Sequence, residues 1–182
     1  LEIARIMSGE NPPAVGVDMI LFDGEDWGQH ENMSDVANPR DYGKESWYCL
    51  GSQYWSKNKH NPNYTAYYGI LLDMVGAQGS TFYYDGVSQQ NAGRVLSRTW
   101  DIAHELGYSN LFVKEMGMGL IIDDHKFVNE HARIPMIDII DYRKNVNDFG
   151  PYHHTQEDNL SVISKDVLGA VAHVVLTVLY NE

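Results

Sequence analysis

Three apolar runs of strand length constrain this chain more than any other feature: residues 17–22 (Val-Asp-Met-Ile-Leu-Phe), 67–72 (Tyr-Tyr-Gly-Ile-Leu-Leu) and 135–140 (Pro-Met-Ile-Asp-Ile-Ile). None alternates cleanly between apolar and polar positions, so neither face can be given to water, and strands of this kind are covered on both sides. Helical patterns supply the cover. Residues 91–106 place Val95, Leu96, Trp100, Ala103 and Leu106 at helical spacing and stop at Gly107, the usual residue past a helix C-terminus. Residues 164–180 predict a long closing helix, 46–55 another, and 127–131 a short one. Residues 1–7 read as the last two turns of an amphipathic helix that has no start signal. Alternating helices and apolar strands predict an α/β fold with an open, mostly parallel central sheet and helices on both faces. At 182 residues the chain is one domain's length, shorter than an eight-fold barrel needs.

In such sheets ligands bind beyond the carboxyl ends of the strands. Acids stand at or near those ends in all three runs: Asp23, Glu25 and Asp26 after the first, Asp73 after the second, Asp138 and Asp141 in and after the third. Asp and Gly are also ordinary turn residues, but three strand ends with the same chemistry point to a shared acidic site. With 25 acidic against 13 basic residues the net charge is -12, which repels nucleic acid and anionic membrane surfaces. The longest apolar stretch, 167–179, is interrupted by His173 and too short to span a bilayer. The lone cysteine, Cys49, can form neither an internal disulfide nor a thiolate cluster, so any metal here takes oxygen and nitrogen ligands.

Two further clusters carry those ligand types. Asp123-Asp124-His125 follows the Gly117-Met118-Gly119 stretch, and His153-His154 with Glu157 and Asp158 follows Gly150-Pro151. Histidine beside carboxylates suits Zn²⁺, whose catalytic sites keep about three protein ligands and one open position. The alternative for the same residues is plain loop chemistry, with Asp124 capping the helix that runs through Phe127.

Taken in order, Phe-Asp-Gly-Glu-Asp (Phe22 to Asp26), Leu-Gly-Ser (Leu50 to Ser52), Leu-Leu-Asp-Met-Val-Gly-Ala (Leu71 to Ala77), Asp-Asp-His with Phe127 two places on, Ile134-Pro135 and His-Thr-x-x-Asp-Asn (His154 to Asn159) resemble the zinc exopeptidase family. Within that family the chain is most similar to glutaminyl cyclases, including bacterial ones of the animal type. The resemblance implies that Glu25 is the general base and Asp26 a zinc ligand, although Glu is commoner at the second position. It implies that His154 is a second zinc ligand. Asp73 would be a hydrogen-bonding acid beside the base in a cyclase, or a zinc ligand in a two-metal aminopeptidase. Asp123 would join the acid network of a cyclase, where peptidases more often carry Ser or Thr. His153 stands where cyclases carry Trp; with Trp27 and Tyr152 it is a candidate for the substrate pocket.

The family's remaining metal ligands come from a segment upstream of the helix at residues 1–7, so this chain reads as the C-terminal portion of a catalytic domain whose zinc site that segment completes. The implied function is conversion of N-terminal glutamine, on peptides or proteins, to pyroglutamate with release of ammonia. A two-metal zinc aminopeptidase and a non-catalytic peptide-binding domain on the same scaffold are the alternatives. The resemblance also implies an exported bacterial protein, periplasmic or anchored to the outer membrane, with its signal outside these residues.

Overall fold

The structure, a computed structural model, describes residues 1–26 and 38–182. Its elements in chain order are helices α1 (Glu2–Met7) and α2 (Leu50–Lys57), strands β1 (Gly69–Asp73) and β2 (Phe82–Tyr84), helix α3 (Gly86–Glu105), strand β3 (Phe112–Met116), helix α4 (Asp124–Phe127), strand β4 (Met136–Ile140) and helix α5 (Lys165–Tyr180). A π-helical turn, Val128–Ala132, continues α4. The second and third apolar runs pair with each other: β1 lies parallel to β4, with Gly69 opposite Met136 and Asp73 opposite Ile140. The β2 and β3 strands form a second parallel pair across α3. Thr81 stitches the two pairs, donating its backbone N–H to Asp141 Oδ1 at 3.0 Å and its hydroxyl to the Tyr142 carbonyl at 2.7 Å. This is the expected α/β arrangement of parallel strands with flanking helices.

Strand β4 shows why its sequence is apolar at every position but Asp138. Ile137 and Ile139 enter the main core with Leu96, Trp100 and Ala103 of α3, Val171, Val174 and Val178 of α5, and the paired rings of Phe82 and Phe112. Met136 faces the other way, against Val128, Ala132, Ile134 and Trp55. Each large side chain buried in these layers contributes roughly 1.5–3 kcal/mol. Asp138 lies between Ile137 and Ile139 with no solvent exposure, an acid on a core strand.

Several expectations need correcting. Residues 17–22 form no strand: among the described residues no strand pairs with them, and Leu21 is 91% exposed. A strand requires a neighbour for its backbone N–H and C=O groups; this run instead packs Phe22 edge-on against Trp55 and leaves Ile20 and Leu21 over β1. The helix expected from residue 46 starts at Leu50, because Cys49 adopts a left-handed φ of 56° that ends any earlier helical run. Helix α3 starts at Gly86 rather than Asn91, since Asp85 caps it through Val87 N–H and Ser88 N–H; non-helical angles at Ala92 mark a kink, and the legible periodicity belongs to the portion beyond it. The β2 and β3 strands were not foreseen. One has three residues and the other ends in exposed Lys114, Glu115 and Met116, too short and too polar to read as buried runs. No helix among the described residues is long and apolar enough to cross a membrane.

Candidate active site

A cleft of about 240 Å³ opens where the loop after residue 22, the end of β1 and the start of α4 meet, with Glu25, Asp73, Asp123 and Asp124 beside Phe22, Leu71 and Leu72. Each acid is delivered by a different device. Glu25 lies on a loop that closes the N-terminus of α2. The first free N–H groups of that helix take loop carbonyls as partners, Cys49 N–H to Glu25 O at 2.8 Å, Leu50 N–H to Gly24 O at 3.0 Å and Gly51 N–H to Asp23 O at 2.8 Å. A helix start has orphan donors to satisfy, and here they hold the Glu25 loop in place. Gly51 permits this approach, since a Cβ there would stand 2.3 Å from the Asp23 carbonyl oxygen.

Asp73 ends β1 and is followed by Met74 at a left-handed φ of 49°. Asp123, rather than the expected Asp124, is the N-cap of α4; its side chain accepts from Asp124 N–H. Cys49 adds a thiol donor to Glu25, its Sγ 3.7 Å from Oε1. One ligand atom each from Glu25, Cys49 and Asp123 lies within 4.8 Å of the others.

Crowding four carboxyls into a half-dry cleft makes their ionisation costly. Burial, with the charges of Asp26, Asp123 and Asp73, pushes Glu25 up to about 8. Burial and then Asp123 push Asp73 up to about 7. Asp124 rises to about 6, chiefly through burial. Asp123 is raised by burial against the opposing pull of His125. Glu25 is thereby a carboxyl that can hold or release a proton near neutral pH.

Asp26 and His154 meet at the exposed end, His154 Nε2 to Asp26 Oδ1 at 2.8 Å, with both side chains more than half exposed. They come from loops 128 residues apart in sequence. His154 sits at a left-handed φ of 56°, a conformation that costs a non-glycine residue about 1–3 kcal/mol and collects at functional sites. Its loop is pinned from beneath: the Tyr152 hydroxyl donates to Asp141 Oδ2 at 2.9 Å, and Arg143 donates to the same oxygen from Nη2 at 2.9 Å. Gly150 makes room for the Tyr152 ring, which would lie 2.2 Å from a Cβ there. Tyr152 is thus buried and outside the residues lining the cleft. His153 stacks on His154 with ring centroids 3.8 Å apart, and burial lowers its pKa. Trp27 lies outside the described residues.

One oxygen and one nitrogen donor side by side suit zinc chemically, yet two protein donors fall short of the three that a catalytic zinc takes. Among the described residues no third His, Cys, Asp or Glu joins Asp26 and His154 in a group with metal-binding spacing. Nothing in the sequence singles out Asp85 or a partner for Cys49, and His125, a candidate zinc donor by its acidic neighbours, instead faces Asp85 and Asp138 with no solvent exposure. Asp85 shows itself only as a helix cap, and Cys49 reaches Glu25 only through tertiary folding.

Residues 1–179 match the model of Peptidase family M28, and the chain belongs to that family. It is similar to the structure of a glutaminyl cyclase from Tannerella forsythia, with 44% identity over 100% of this chain and 60% of that one and a TM-score of 0.90. A Zn-dependent exopeptidase from Parabacteroides distasonis is similar at 42% identity over 100% of this chain and 59% of its own, TM-score 0.90. A leucine aminopeptidase precursor from Bacteroides thetaiotaomicron is similar at 41% identity over 100% of this chain and 58% of its own, TM-score 0.88. The chain therefore spans about 60% of the length of these proteins. No curated protein gives a significant match.

Proposed function

We propose that the protein carrying this chain is a zinc-dependent glutaminyl-peptide cyclotransferase, closing N-terminal glutamine to pyroglutamate with release of ammonia. The observation that carries this reading is Asp123, a buried carboxyl beside Glu25 in the cleft that also holds Asp73. A hydrolase needs a water within reach of its base and gains nothing evident from this extra acid. A cyclase must keep an amine unprotonated and pass one proton across the site, which a set of acids sharing protons serves.

Asp26 and His154 would hold zinc together with a ligand from outside these residues; when bound, the metal supplies polarisation of the side-chain amide carbonyl. The substrate's own α-amine nitrogen attacks the amide carbon, a carbon–nitrogen bond forms, and the bond to the amide nitrogen breaks. Glu25 takes the proton from the attacking amine and gives it to the leaving nitrogen, which departs as ammonia. Because the attack is intramolecular, holding the near-attack geometry removes ~7–11 kcal/mol of the barrier. Phe22, Leu71 and Leu72 supply the apolar wall against which the substrate side chain is held.

The test is incubation of the full-length, zinc-loaded protein with a peptide that begins with glutamine. Ammonia release and a product blocked at its N-terminus support the reading. Free amino acids from peptides lacking that glutamine, with no cyclised product, sink it. The second reading, an aminopeptidase with Asp73 on a second zinc, is favoured by the likeness to a Zn-dependent exopeptidase and a leucine aminopeptidase precursor; a second tightly bound zinc by elemental analysis separates the two. Substrates would be N-termini of exported proteins, and recovery of the full-length protein solely from the cytosolic fraction would refute that.

A further inference from the structure

The acid cluster continues inward past the cleft. His125 has no solvent exposure, and its two ring nitrogens face carboxylates on two other elements: Nε2 is 3.1 Å from Asp85 Oδ1 and Nδ1 is 3.7 Å from Asp138 Oδ2. Asp85 and Asp138 are likewise fully buried. Ligand atoms of Asp123, His125 and Asp138 all lie within 4.8 Å of one another. The elements behind them are tied together as well. Asp85 Oδ1 caps α3 through the N–H groups of Val87 and Ser88, both at 2.9 Å, and Ser88 Oγ accepts from the backbone N–H of Asp138 at 2.9 Å.

We propose that His125, held between Asp85 and Asp138, is a positioning residue that fixes Asp123 in the cleft, with Asp85 as its anchor on α3. Asp123 and His125 share the first turn of α4, a helix of four residues with little strength of its own. Tying the imidazole to the cap of α3 by the Asp85 hydrogen bond, with Asp138 of β4 facing its other nitrogen, therefore holds the turn that presents the Asp123 carboxyl. A purely structural role explains the arrangement poorly. Asparagine caps a helix as well as aspartate does, so α3 does not require an acid at position 85, whereas a histidine ring does benefit from one. Burying charged groups is costly, and an apolar filling of the same volume is often as stable or more so. What an imidazole hydrogen-bonded to one acid through Nε2, with a second carboxyl 3.7 Å from Nδ1, provides that an apolar filling does not is direction.

The test rests on the cyclase reading for its activity measurement and uses the full-length zinc-loaded protein. Asp85→Asn keeps the cap and removes the charge facing His125. The expected result is a kcat on a glutaminyl peptide lowered by about 10²-fold, as for an ångström-scale misplacement of a reacting group, with KM, zinc content and melting temperature close to wild type. A kcat within about threefold of wild type, against that 10²-fold expectation, overturns the proposal. If Asp85→Asn does not fold, His125→Gln decides: it removes the ring that stands between Asp85 and Asp138, and unchanged kcat again overturns the proposal. If the wild-type protein forms no pyroglutamate, the functional reading has failed, and crystal structures decide the positioning. A displaced Asp123 carboxyl in the variant supports it; an unmoved one rejects it.

Discussion

The two ends of this site are built in opposite ways. Asp26 and His154 lie on loops, touch each other at 2.8 Å and are more than half exposed; Asp123, His125, Asp138 and Asp85 lie on a helix turn, a strand and a helix cap, all buried. A metal ligand can be loosely held until its ion arrives, because binding itself orders the site. A proton-handling acid has to be in place and poorly solvated beforehand, since its pKa comes from its surroundings. Under the proposed function, the difference matches binding at the open end and proton transfer at the closed one.

The strongest way to break that division is Glu25→Gln in the full-length protein. The change is nearly isosteric and removes the proton acceptor, so turnover should fall by about 10³–10⁴-fold while zinc content and melting temperature hold. Activity within tenfold of wild type, against that expected loss, would remove Glu25 from the mechanism. The open end is probed by His154→Ala, which should weaken zinc binding by at least ~10²-fold, with little loss of stability in the metal-free protein because the side chain is half exposed. Unchanged metal content by elemental analysis would take His154 out of the ligand set.

Asp123→Ser sharpens the comparison at its closed end. Cyclisation of a glutaminyl peptide should drop by about 10²-fold with zinc retained, since in the proposed mechanism Asp123 acts on protons and not on the metal. A protein that instead releases amino acids at a rate indifferent to this change is an aminopeptidase.

The smallest effect is on the pH dependence of stability. Glu25, Asp73 and Asp124 have folded-state pKa values raised to about 8, about 7 and about 6. A raised acid favours the fold most fully below its unfolded pKa, near 4, and that contribution is lost as pH climbs through the folded value. The metal-free protein should accordingly melt several degrees higher at about pH 5 than at about pH 8. A flat or rising profile in a thermal scan would show that these carboxyls are better solvated than the cleft suggests.

Much of the fold could be read from residue order because the signals are local. The closing helix, with Ser164 at its cap, and the stop at Gly107 depend on neighbours within a few residues. The same holds for the two apolar runs that became β1 and β4, whose composition already excludes water on either face. The family motifs likewise carried Glu25, Asp26, Asp73, Asp123 and His154 in order along the chain. Residues 17–22 show the limit of such reading. Their composition matches that of β1, yet strand formation depends on a partner for the backbone, and composition does not reveal one.

What the tertiary structure alone decided is which acids share an environment. Asp85 is a helix cap by its sequence context, and only the approach of α3 to α4 and β4 makes it a partner of His125. Asp141 was one strand-end acid among several until folding gave it to Tyr152, Arg143 and Thr81, away from the cleft and beneath the His154 loop. Residue type sets what a side chain can do chemically. Burial and nearby charge set when it does so, and both are properties of positions brought together from distant parts of the chain.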